Sequence, residues 1–159
     1  MYANGHIGLT LLILSGLLVP FGANPYALPL LVVAAGFSTW PDIDMKFEIV
    51  HRKFTHNLLF GVVCGTLIGA LAVAVDNVIM GATFFAGVFA GCALHLVGDV
   101  IAGRKKDGSP WPLRPFVPFS QREIGYGWFK ASDKKMNNGF LYLGLLALVL
   151  LVLVQNGVF

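Results

Sequence analysis

Five apolar runs separated by short polar breaks constrain this chain more than any other feature. They cover about His6 to Phe21, Tyr26 to Trp40, Thr55 to Val75, Val78 to Ile101 and Gly139 to Val154. Hydrocarbon about 30 Å thick takes about 20 apolar helical residues to cross, so the longer runs read as spanning helices. The first two are short for full crossings, and a tilted or re-entrant hairpin joined by "FGANPYALP" also fits them. Composition agrees: 57% of residues are apolar and only 12% charged, against about a quarter charged in soluble domains. The expectation is an all-α, polytopic membrane helical bundle of about five transmembrane helices, forming a single integral domain over residues 1–159. No basic n-region precedes the first run, so no secretory signal is expected. Cys64 and Cys92 each sit inside an apolar run and read as small buried side chains rather than a disulfide.

With five crossings, one side receives the N-terminus, the loop after the second run and the loop after the fourth. All 11 cations fall on that side: Lys46, Arg52, Lys53, Arg104, Lys105, Lys106, Arg114, Arg122, Lys130, Lys134 and Lys135. The opposite side offers Asp76 alone. By the positive-inside rule the cation-rich side is cytoplasmic, which puts the N-terminus inside the cell.

The same placement gathers the rare ligand-type side chains. His6 begins the first run, and "PDID" brings Asp42 and Asp44 to the end of the second. "HRKFTH" carries His51 and His56 into the third, and "HLVGD" puts His95 and Asp99 on the last turns of the fourth. Four segments distant in sequence therefore deliver histidines and acids to one depth. His95 and Asp99 lie four residues apart, on one helical face, where an imidazole and a carboxylate can share an ion. After Pro41 an extended segment is expected, with Asp42 and Asp44 pointing the same way. Gly87 and Gly91 on the fourth run and Gly61, Gly65 and Gly69 on the third suggest glycine-to-glycine packing that brings His56 near His95.

Each residue alone has an ordinary reading. His6 suits an interfacial polar residue, Asp42 and Asp44 suit caps at the water boundary, and His51 and Arg52 suit positive-inside residues. Asp99 resists this, because an acid at membrane depth is costly. Residues 103–138, rich in Pro, Trp, Phe and cations, read as a cytoplasmic interfacial loop or lid. Arg104, Arg114 or Arg122 within it suit bidentate contact with a phosphate. Positive-inside topology already accounts for these cations, so no nucleic-acid partner is expected.

In these residues the chain resembles the YdjM-type family, described as LexA-binding, inner-membrane-associated, metal-dependent hydrolases. The resemblance runs from His6 and Gly8 through "PDID", "HRKFTH" and "HLVGD" to "PFSQR". The family's second motif reads HRGxTHS, whereas here Lys53 replaces the glycine and Asn57 the serine. The ligand types survive both departures. That family looks distantly similar to the zinc-dependent phospholipase C and nuclease P1 group, which implies phosphoester hydrolysis. The LexA link, carried by the family name alone, is not transferred to this chain.

The expected function is a hydrolase at the inner membrane, with its site at the cytoplasmic interface. His6, Asp42, Asp44, His51, His56, His95 and Asp99 are the candidate metal ligands. One to three divalent ions are expected, zinc first, with manganese or magnesium next. Asp44 is the candidate general base, and Arg52 and Arg122 the candidate phosphoryl-oxygen partners. A phospholipid or amphiphilic phosphoester is the expected substrate, because lipid can reach such a site sideways. The competing expectation is a non-catalytic metal-binding scaffold or regulatory protein. Oligomeric state is left open.

Overall fold

The computed structural model describes residues 1–45 and 55–158, with the backbone alone at residues 44 and 45. Helix α1 (Ala3–Leu18) runs into a 3-10 turn, Val19–Phe21, at Pro20, whose missing N–H cannot extend the α-helical ladder. The chain reverses at Gly22, whose positive φ of 60° suits a residue without Cβ. Helix α2 (Ala27–Phe37) returns and is followed by a 3-10 segment, Trp40–Met45. Helices α3 (Leu58–Val75) and α4 (Val78–Ala102) form a hairpin across Asp76 and Asn77. Helix α5 (Lys134–Gln155) follows the long loop.

Short polar side chains start three of these helices. Asn57 Oδ1 accepts from Phe60 N at 2.9 Å, and Asn77 Oδ1 from Met80 N at 2.9 Å. Asp133 Oδ1 accepts from Lys135 N and Met136 N. Each satisfies helix-start donors that would otherwise lack a partner. Asn57, standing where the resembled family has serine, keeps a capping side chain at that position.

Segments Ala3–Phe21, Leu58–Val75, Val78–Ala102 and Lys134–Gln155 are long and apolar enough to cross a membrane. The 11-residue α2 is shorter, about 16 Å at 1.5 Å per residue. The expected helical membrane bundle of about five helices is therefore the observed architecture, and no extended strand occurs among the described residues.

Small residues set the packing. A Cβ on Gly8 would stand 2.3 Å from Leu141 N, and one on Gly144 2.3 Å from Gly8 O. Helices α1 and α5 therefore touch backbone to backbone, side by side in the same direction. At one end Tyr2 N donates to Asn137 Oδ1 (2.8 Å), and at the other Asn24 N donates to Gln155 Oε1 (2.6 Å). The antiparallel α3–α4 pair seats Gly61 on Cys92 and Phe89, Gly65 on Phe85, and Gly69 on Gly81. Gly87 and Gly91 point elsewhere, to Leu30, Val33 and Ala34 of α2. The expected glycine-to-glycine register is thus corrected: α4 offers one small stripe to α2, while bulky Phe85 and Phe89 fill the glycine notches of α3.

Two further expectations change. The "PDID" segment is 3-10 rather than extended, since Pro41 sits in its first turn, where a missing N–H costs nothing. Helix α5 starts at Lys134, five residues before the apolar run, because Asp133 caps a polar first turn.

The loop between α4 and α5 is tied down at both flanks. Tyr126 N and Gly127 N donate to Val100 O, and Trp128 N donates to Ile101 O. These bonds satisfy carbonyls that end α4. Leu113 and Ile124 exchange backbone bonds, and Leu58 N donates to Pro115 O at 2.9 Å, fastening the loop to the start of α3.

Candidate metal centre

The end of the bundle where α1, α3 and α5 begin and α4 finishes holds a buried polar knot. Each contributor arrives from a different element. His6 stands in the first turns of α1, Asp42 in the 3-10 extension of α2, His56 just before α3, and His95 and Asp99 on successive turns of α4. His6, His95, His56 and Asp99 are all but inaccessible, while Asp42 keeps 21% of its side-chain exposure.

The distances are short and mutual. His56 Nε2 lies 3.2 Å from His95 Nε2, 3.3 Å from Asp42 Oδ1 and 3.6 Å from Asp99 Oδ2. His95 Nε2 lies 3.6 Å from Asp42 Oδ1 and 3.7 Å from Asp99 Oδ2. One ligand atom from each of these four residues falls within 4.8 Å of all the others. Donors at about 2.0–2.2 Å from a tetrahedral ion stand roughly 3.3–3.6 Å apart. The five separations that involve an imidazole bracket that range and the two carboxylates stand within 4.8 Å of each other, so the four residues can hold one divalent ion.

Outer contacts orient the rings. His95 Nδ1 lies 2.8 Å from the Ser38 carbonyl, which can only accept, so this nitrogen carries the proton and Nε2 presents a lone pair inward. His56 Nδ1 is held by Thr55 Oγ1 at 3.0 Å, again leaving Nε2 toward the cluster. Fixing one ring nitrogen to orient the other is how metal-binding imidazoles are ordinarily supported.

His6 joins from the side. Its ring stacks on His95, with centroids 3.9 Å apart and planes inclined by 16°. Its Nε2 is 3.4 Å from Asp99 Oδ1 and 4.0 Å from Asp42 Oδ2, yet neither ring nitrogen has a hydrogen-bond partner among the described residues. Buried polar atoms are rarely left so, and a cation beside Nε2 would satisfy this one. The Met1 amino group, 2.5 Å from Asp99 Oδ1, supplies a positive charge on the same carboxylate.

His56, in the loop ahead of α3, holds its proton above the ordinary imidazole range. Burial opposes the charged ring, but the Asp42 and Asp99 carboxylates beside it outweigh that cost. Protons and cations therefore compete for the same pocket of negative charge.

Five of the seven candidate ligands thus meet: His6, Asp42, His56, His95 and Asp99. His51 and Arg52 lie outside the described residues, as does the side chain of Asp44. Arg122 is exposed in the loop, where its backbone N–H donates to Ser120 Oγ at 3.2 Å.

Three supporting groups were not evident as such in the sequence. Ser38 acts through a backbone carbonyl, which no residue type signals. Thr55 precedes His56 inside "HRKFTH" and reads there as a spacer. Gly98 has a clearer signal, lying between His95 and Asp99 in "HLVGD". A Cβ there would stand 2.9 Å from His6 Nδ1 and 3.2 Å from its Cε1, so the glycine makes room for the His6 ring.

Asp42 faces a cleft of ≈ 450 Å³, lined also by Met1, Tyr2, Ala3, Thr39, Trp40 and Ile43. This is an approach to the cluster, polar at Asp42 and apolar along Trp40 and Ile43. No curated protein and no solved structure matches the chain. A family model described as YdjM inner membrane protein matches residues 1–158.

Proposed function

Because the chain belongs to the YdjM inner membrane protein family, we propose that its buried His/Asp cluster serves a metal-dependent hydrolase of the inner membrane. Its substrate in this reading is a phosphoester of a lipid or other amphiphile, reached from the cytoplasmic face. The observation that carries the reading is the convergence of His56, His95, Asp42 and Asp99 within 4.8 Å, with Asp42 alone open to a cleft. A divalent ion held there, zinc first and manganese or magnesium next, would lower the pKa of a bound water toward neutrality.

The chain's own groups supply the rest. His56, His95 and Asp99, buried and fixed by their outer contacts, would hold the ion together with Asp42, and His6 would be a further donor beside them. Asp42 sits at the edge of the cluster and opens to the cleft. Asp44, two residues on in the sequence, is assigned the proton from water as general base. Arg52 and Arg122 are assigned the charge that builds on phosphoryl oxygens. Trp40 and Ile43 give the apolar part of an amphiphile a surface to lie on while its polar end meets Asp42. The cations expected on this end of the bundle support a cytoplasmic orientation by the positive-inside rule.

One observation favours a second, non-catalytic reading. Four protein donors suffice to close a tetrahedral shell, as in structural metal sites, whereas catalytic sites keep a position open. The experiment that separates the two is a hydrolysis screen of phospholipids and simple phosphoesters with purified, metal-loaded protein. Chelator-sensitive turnover that is lost in Asp44→Ala while the metal is retained supports the hydrolase. One equivalent of tightly held metal with no turnover across the panel supports the scaffold, and a folded protein that takes up no metal overturns both.

A further inference from the structure

A second cavity lies outside the metal centre, where the long loop folds against the end of α4 and the start of α5. It is a groove of ≈ 780 Å³ with an apolar floor of Ile101, Phe129, Met136 and Phe140, and Arg104 and Lys130 at its rim. The groove sits at the end of the bundle that carries nearly all the chain's cations. Of these cations Arg104 and Lys130 line the groove, while Lys105, Lys106, Lys134 and Lys135 follow them in sequence and lie outside its lining.

One acid, Asp133, also lines the groove and keeps its charge, so the two cations Arg104 and Lys130 leave the lining net positive by one charge. Asp133 Oδ1 caps α5, and Asp107 Oδ1 accepts from Ser109 N and Ser109 Oγ. Arg104 donates from Nε to Gly127 O at 2.6 Å and from a terminal nitrogen to Trp128 O. Those bonds hold its guanidinium in place while leaving its charge undiminished. Lys130 is exposed at the rim.

We infer that this groove binds one anionic phospholipid from the surrounding membrane, with its phosphate against Lys130 and Arg104. An acyl chain then lies along Phe129, Met136 and Phe140, following α5 toward the hydrocarbon. The charge excess selects an anionic headgroup, and the apolar floor selects a lipid over a free phosphate, which gains nothing from it. The site has a bearing on the metal centre, since its lining residues pack on Met1, which touches the cluster. Ile101, Phe129 and Phe140 pack on Met1, Leu9 and Ala102, and the Met1 amino group contacts Asp99. A bound lipid thus braces the wall behind the cluster.

The test is native mass spectrometry of the full chain in neutral detergent, titrated with dioleoylphosphatidylglycerol, dioleoylphosphatidylcholine or glycerol phosphate. One phosphatidylglycerol should be retained at lipid levels where phosphatidylcholine and glycerol phosphate are not. Lys130→Ala should weaken that retention about five-fold, the order expected for one juxtamembrane cation near an anionic lipid. Lys106→Ala, which changes the charge equally but lies off the groove, should leave it within about two-fold. Equal retention of both lipids, retention of glycerol phosphate, or equal weakening by the two variants would overturn the site. Lipid binding is read independently of metal content, so its failure leaves the metal centre untouched.

Discussion

At the scale of residues, the cluster is assembled from side chains that are costly to bury and cheap only together. Asp99, at 4% exposure, would be strongly unfavourable in an apolar helix without a counter-charge. The imidazoles and the Met1 amino group surround it for that reason. Gly98 makes a test of the site's support, because it carries no ligand atom and a Cβ there would press on the His6 ring and on Met1 Sδ. Gly98→Ala should lower metal affinity by about 10–100-fold, the usual cost of disturbing the support of a metal site, as measured by competition with a chromophoric chelator. Unchanged affinity would remove His6 from the metal's surroundings.

His56 supplies a pH signature at the same scale. Its pKa is raised in the folded protein, so its proton stabilises the fold below the unfolded value of about 6.5. That contribution is lost as pH rises through the raised folded value. Metal needs the neutral ring and must displace the proton. Apparent metal affinity should therefore climb with pH and level off above the folded pKa of His56. In His56→Gln, where no such proton exists, the slope should flatten. A pH-independent wild-type affinity would count against His56 as a ligand.

At the scale of elements, helix positions were legible wherever an apolar run met a capping residue. Val78 after Asn77 and Val75 before Asp76 were placed to the residue, because the polar pair leaves no other place for a turn. The start of α5 was not, since hydropathy reports the hydrocarbon slab while Asp133 begins the helix in the polar layer outside it. Glycine spacing showed that helices approach closely but not which ones, as Gly87 and Gly91 fit any smooth partner and α2 took them. The α1–α5 seam is where this packing is tightest. Gly8→Val would drive a branched side chain into the Leu141 backbone, 2.3 Å from a Cβ. Overpacking of this kind costs about 1–3 kcal/mol or more, and thermal unfolding in detergent should show it, whereas Gly16→Val, with open space around it, should melt near wild type.

At the scale of the whole molecule, the site was legible because the chain is so poor in polar groups. All four histidines had to go somewhere in a bundle with few polar places, and alternation of helix direction returned three of them to one end. What the sequence did not carry was depth of detail: the Ser38 carbonyl and the orientation of each ring depend on how α2 ends against α4. The same alternation makes orientation testable. Cysteines introduced at Lys106 and at Asp76 should label from opposite sides of an inverted and a right-side-out vesicle, with position 106 reached from the cytoplasmic face. Labelling of both from one side would break the five-helix arrangement on which the convergence rests.

Residues from α1, the 3-10 segment after α2, the loop before α3 and α4 are arranged to share one cation, and X-ray absorption at the edge of the metal retained by the purified protein reads that sharing out. Four to five nitrogen and oxygen neighbours at about 2.0–2.2 Å should appear, with the outer-ring scattering of at least two imidazoles, and that scattering should be lost in the His95→Ala, His56→Ala double variant. A sulfur neighbour, a shell without imidazole, or a spectrum unaltered by the double variant would contradict it.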